Sequence, residues 1–152
     1  MNELNSINNS IKALEKLLYG RNYEIHFQFE IVCESTDVEK ANSILSEKYK
    51  NVKLNQKEFV QIPYTEFKDK IIRHCQYKGT SSHGPEFNNA KLAELKIIND
   101  KLWQLIKQKF IPSHTIIYKI PDLQTWIYWD FCFLIVSKDL KKIYLFEGGA
   151  SD

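Results

Sequence analysis

Cysteine, glycine and proline are all scarce in this sequence, at three, five and four of 152 residues. Cys33, Cys75 and Cys132 are odd in number, far apart and set within apolar patterns. That arrangement excludes a disulfide framework and fits reduced, buried thiols. No apolar run approaches the roughly 18 residues of a membrane-crossing helix. The first residues, Met1-Asn-Glu-Leu-Asn-Ser-Ile-Asn-Asn9, have neither the basic nor the apolar region of a secretory signal, so a cytoplasmic location and no membrane partner are expected. Charge of one sign is also lacking: 21 Lys and Arg against 19 Asp and Glu give a net +2. Nucleic acid, which calls for a basic stripe, is therefore not an expected partner. The phosphate-loop, dinucleotide, nucleophile-elbow and His-Glu-x-x-His patterns are missing, and no cofactor is expected.

What is present begins with the stretch from Leu123 to Glu147. Thr125 to Val136 and Lys142 to Glu147 are rich in aromatic and β-branched residues and flank the polar link Ser137-Lys-Asp-Leu-Lys141. A link of that length closes a β-hairpin. Neither face of its first strand is polar, which places that strand centrally, covered on both sides. Thr115 to Ile120 is a further strand, so the three form a meander. Leu4, Ile7, Ile11, Leu14 and Leu18 recur at helical spacing over about 3 to 19, with Gly20 past the end. From Tyr23 to Glu34 apolar residues alternate with Glu24, His26, Gln28 and Glu30, a strand with one wet, acidic face. Thr36-Asp-Val-Glu39 has the form of a capping box starting a helix that runs to about residue 49. Val52 to Ile62 reads as extended chain broken near Gln56-Lys57, and Pro63 bounds it. Helices over about 65 to 76 and from Asn89 for some twenty residues follow. Between them lies a loop, Tyr77 to Asn89, punctuated by Gly, Ser and Pro. The sum is an α+β fold: one domain over 1–152, a mainly antiparallel sheet of about five strands, and helices packed mostly on one face. Residues 148–152, Gly-Gly-Ala-Ser-Asp, read as an exposed flexible tail.

Candidate chemistry is sparse. His74, Cys75 and His83 are the only local gathering of metal-ligating types, and neighbouring helical residues point apart, so no metal site is expected. The two histidines read as surface residues and Cys75 as an inert thiol on an apolar stripe. Asp130, in a strand between Trp129 and Phe131, must reach solvent or find a partner. Pro121-Asp122 matches the start of a metal-dependent nuclease pattern, but Glu147-Gly-Gly does not supply the later acid-x-Lys. No catalytic set is assigned. Glu24, His26, Glu30, Glu34 and Asp37 form a face suited to a basic partner, with His83 in the 79–86 loop and Asp130 as further contacts.

The run Trp129-Asp-Phe-Cys-Phe-Leu-Ile-Val-Ser-Lys-Asp-Leu-Lys-Lys-Ile-Tyr-Leu-Phe-Glu147 is similar in texture to the late hairpins of small bacterial toxin-immunity proteins, including the SUKH superfamily. That resemblance implies a cytosolic, non-catalytic protein that binds a cognate toxin domain and blocks it by occlusion. The alternative is a small hydrolase or nucleic-acid-processing enzyme built on His74 or His83 with Asp130 or another acid. Self-association as a homodimer is also open, because aromatic edge strands can pair between chains.

Overall fold

The computed structural model describes residues 3–18, 24–75, 88–124, 126 and 129–151. His83 and the 79–86 loop lie outside them. Among the described residues are four α-helices and five strands: α1 (Glu3–Leu18), β1 (Glu24–Cys33), α2 (Val38–Lys48), β2 (Val60–Ile62), α3 (Tyr64–Cys75), α4 (Asn89–Lys109), β3 (Thr115–Lys119) and the hairpin of β4 (Trp129–Ser137) with β5 (Lys142–Ser151). The α+β expectation holds. All five strands pair antiparallel in the order β1-β5-β4-β3-β2, which puts β4 in the middle, as its two apolar faces require. None of the described helices is long and apolar enough to cross a membrane.

Helices α1, α3 and α4 cover one face. Ile7, Ile11, Leu14, Phe67, Ile71, Leu102 and Ile106 meet Ile25, Phe27 and Phe29 of β1, Phe131 and Phe133 of β4, and Tyr144 and Phe146 of β5. These are the periodic positions of each element, so pattern becomes packing without rearrangement. Among the described helices, α2 packs on the second face. There Ala41 and Leu45 sit on Cys132, Leu134, Val136, Ile143 and Leu145, joined by Ile120 and Leu123 from the connection between β3 and β4.

Three local expectations are corrected. The N-cap of α2 is Asp37, whose carboxylate accepts from Glu39 N–H at 3.0 Å, and not Thr36. An Asp is as good a cap as a Thr, and its charge suits the helix N-terminus better. The strict alternation of β1 fails at its end, because the pairing with β5 slips between Ile31 and Cys33. That bulge sends Cys33 into the core of the opposite face, and Ile31, just before it, is 37% exposed. Finally, residues 148–151 are not a tail. They continue β5: Gly148, Gly149 and Ala150 are buried and paired with both β1 and β4, and Ser151 pairs with β1.

The two glycines are there because rings approach the strand on both faces. A Cβ on Gly148 would stand 2.7 Å from Phe27 and Phe131 ring atoms on the helical side. A Cβ on Gly149 would stand 2.0 Å from the Trp126 indole on the other side. Trp126 thus lies flat on the sheet where a side chain would otherwise be.

The outer edge of β1 is also managed. Glu15 of α1 is buried and accepts from Phe27 N–H through Oε1 at 2.8 Å, while Lys12 approaches its other oxygen at 3.3 Å. A backbone donor of the edge strand is thereby occupied by a side chain of the same molecule.

Candidate functional site

The sheet register sets out the second face in rows. Asp130, Gly149 and His26 are direct neighbours across β4, β5 and β1; Cys132, Glu147 and Gln28 form the next row, and Leu134, Leu145 and Glu30 the one after. Helix α2 roofs the apolar end. The polar end is crossed by the connection that leaves β3 at Lys119. Ile120 N–H donates to Cys132 O at 3.1 Å, Leu123 is buried against the sheet, and Gln124 Nε2 donates to Glu147 Oε1 at 2.8 Å. Trp126 then caps Gly149, its ring 5.8 Å from that of His26.

Beside this crossing is a recess of about 350 Å³ lined by Lys12, His26, Phe27, Gln28, Gln124, Trp126 and Glu147. Glu147 is only 2% exposed at its base. Burial raises its pKa and the Gln124 amide opposes that shift, so the bond is charge-assisted whenever Glu147 is ionised. The far wall is braced by α2: Lys48 Nζ reaches Glu30 at 2.8 Å, and the Tyr49 hydroxyl donates to Gln28 Oε1 at 3.4 Å.

The acids singled out in the sequence are not assembled into one patch. Glu30 is engaged by Lys48, Glu34 lies 3.8 Å from Lys142, Glu24 lies 3.6 Å from His26, and Asp37 caps α2. Each has a partner of its own, that of Glu24 being a cation only when His26 is protonated. Of that set only His26 lines the recess, and Asp130 lies one strand away.

Asp130 instead takes part in a second cluster, at a cavity of about 110 Å³ where β3 diverges from β4 under α3. Its lining includes Glu66, Lys70, Lys119, Asp122 and Asp130 above Ile62, Phe131 and Phe133. Asp130 reaches this cavity from β4, and Asp122 reaches it from the connection after β3. The pKa of Asp122 is pushed up to about 6, by partial burial first and then by the Asp130 charge, with Lys119 and Lys70 opposing. His74, expected at the surface, is 7% exposed, its ring stacked on Phe131 at 6.1 Å. Burial first, then Lys70 and Arg73, lower its pKa to about 4, so the imidazole is neutral at physiological pH. Cys75 is buried, and desolvation pushes its thiol up to about 12, which makes it the inert residue expected from its stripe. Among the described residues no group of three or more His, Cys, Asp or Glu is placed to hold a metal ion.

Sequence reasoning missed Asp122, Gln124, Trp126 and Glu147 as a set. Glu147 carried a usable signal, an acid between Phe146 and Gly148 in an otherwise apolar strand. Gln124 and Trp126 carried none, since nothing local says that the connection folds back over the sheet.

No family model and no curated protein matches the chain. Solved structures do. The fold is similar to that of citrus MAF1. One crystal form of that protein superposes with a TM-score of 0.56 at 14% identity, covering 99% of each chain. A second crystal form gives 0.55 at 15% identity over 93% of this chain and 99% of the other. At such identity the likeness concerns the path of the backbone and carries no site residue across.

Proposed function

We propose that the chain is a non-catalytic binding protein, in its specific form a cytoplasmic immunity protein that occludes a cognate toxin domain, with the recess on the second sheet face as the contact site. The observation that carries this reading is the composition of that recess. It offers an aromatic ring, an imidazole and two carboxamides, with a buried carboxylate held rigid by Gln124. A tryptophan beside pre-positioned polar groups is what concentrates binding energy at protein interfaces. The partner surface that fits has donors for Glu147 and Gln28 and an apolar protrusion for Trp126, a narrower description than a simply basic surface.

The test is co-purification from the native cells followed by titration of whatever binds. A stoichiometric complex with a toxin domain is expected, and His26→Ala should weaken it about tenfold, the loss typical of truncating an energetic contact. His26 is exposed, so folding should be unaffected. An unchanged affinity for His26→Ala and Gln28→Ala would sink the assignment of the recess.

One observation favours a second reading, a small hydrolase. Two carboxyls lining one cavity with lysines beside them, one pushed up to about 6, suit general acid–base exchange. Hydrolysis lost in Asp130→Asn with an unchanged thermal midpoint would support that reading; activity retained in the variant would remove it.

A further inference from the structure

We propose that the base of the recess is a socket for a guanidinium group, presented as an arginine side chain by the protein that binds there, with Glu147 as its acid, Gln28 as a second acceptor and Trp126 as its stacking surface. The identity of the partner as a protein rests on the binding reading above; the socket itself does not. Its origin is a buried charge that is half satisfied. Glu147 is 2% exposed and lines the recess. Among the described residues Gln124 donates to Oε1 at 2.8 Å, and none donates to Oε2. A carboxylate offers about four acceptor sites, and leaving them empty in a buried place is costly. The neighbouring charges do not supply the balance. Lys48, a cation that acts on Glu147, is itself held by Glu30 at 2.8 Å, while Glu30 and Asp122 add negative charge. Lys12, which also lines the recess, is paired with Glu15 at 3.3 Å. With Glu147 ionised, the base of the recess is short of positive charge.

The sheet register fixes the shape of the cation that fits. Gln28 and Glu147 are direct partners across β1 and β5, so a carboxamide and a carboxylate stand side by side on one face, with Cβ atoms about 4.5–5.5 Å apart. The Gln28 oxygen accepts from the Tyr49 hydroxyl at 3.4 Å, which leaves it a second lone pair. Two adjacent acceptors match the planar fork of a guanidinium. An ammonium is a compact, strongly hydrated point charge and loses more water on entering. Trp126 supplies the flat surface. Its indole lies over Gly149, where a Cβ has no room, and lines the recess with the His26 ring 5.8 Å away. Guanidinium planes stack on indole faces, and the aliphatic stem of an arginine covers apolar wall. A volume of about 350 Å³ admits one such side chain. The lining also favours a side chain over the free amino acid. Among its described residues Lys12 is the sole Lys or Arg, and it is paired, so an α-carboxylate has no such cation to meet.

The test titrates the isolated chain with N-ethylguanidinium, followed by NMR at the Trp126 indole N–H and the Gln124 carboxamide. A saturable shift of both signals is expected. N-ethylurea, the neutral isostere, should bind at least tenfold more weakly, the loss that follows from taking the charge out of a charge-assisted hydrogen bond. Glu147→Gln keeps an acceptor for Gln124 and removes the anion, and should weaken N-ethylguanidinium about tenfold. Trp126→Leu should weaken it about fivefold through lost stacking. The comparison of the two probes on the unmodified chain stands whether or not these variants fold. Equal binding of the probes, an absence of saturable shifts, or undiminished binding in a folded Glu147→Gln overturns the socket. Nα-acetyl-arginine amide and free arginine separate the sources: the blocked form should bind at least as tightly, and a tenfold preference for the free amino acid overturns the assignment to a protein side chain. The binding reading fails separately. A partner complex at the recess that withstands replacement of the partner's arginines keeps that reading and overturns the socket, whereas saturable guanidinium binding in a chain that captures no protein keeps the socket and removes the partner.

Discussion

Phe146→Ala is expected to cost about 3–5 kcal/mol, the range for deleting a fully buried phenyl ring from a packed core. Phe146 has no exposure and sits in β5 between its register partners Phe29 and Phe133. It meets Phe29 edge-on at 5.4 Å and Phe131 edge-on at 5.1 Å. Those contacts come from strands on both sides, so neither neighbour can move into the void without leaving its own row. A domain of ordinary stability, about 5–15 kcal/mol, would be left with little margin. Urea unfolding followed by circular dichroism checks this through the midpoint, with the slope unchanged. A loss below about 1 kcal/mol would mean that the aromatic cluster collapses around the gap, contrary to the close packing of protein interiors.

Gly148→Ala is expected to cost about 1–3 kcal/mol by overpacking a filled core. The new carbon would stand 2.7 Å from both Phe27 and Phe131, rings that are 5% and 4% exposed. Both are wedged against the helical layer, so relief must come from the strand itself. Thermal unfolding of the variant should show a clear drop in midpoint, together with altered near-ultraviolet dichroism as the rings tilt. An unchanged midpoint would show that β5 shifts freely at this point.

Those two positions also show where the sequence was legible. Phe146 announces itself through strand periodicity, and the stripes of α1, β1, α3 and α4 ended in the core that they implied except at Ile31 and Cys33 of β1 and Leu92 of α4. The α+β class and the central place of β4 followed from the same local rules. Gly148-Gly149 misled because glycine has one spelling for two situations, a chain end with nothing to pack and a strand that rings approach too closely for any side chain. Only the register with Phe27, Phe131 and the overlying Trp126 separates them. Asp130 was legible as a residue in need of a partner, but the polar groups beside it, Lys70, Lys119 and Asp122, come from stretches whose placement depends on long-range packing. The acids read as one face at β1 also have partners of their own, Lys48 for Glu30, Lys142 for Glu34 and the N-terminus of α2 for Asp37. Such pairings join distant stretches, and no local periodicity encodes them.

The Glu15 contact has a meaning for the life of the protein among its own copies. A ten-residue strand at the border of a sheet is a template on which a nascent or partly unfolded neighbour can crystallise its own chain. By lending a carboxylate to Phe27 N–H, α1 occupies one of the rungs that an incoming strand would need. The bulge at Ile31–Cys33 bends the far end out of register. The molecule is thereby insulated against its own sheet at the cost of one buried acid, and a helix seemingly devoted to the core also serves as a chaperone for its border.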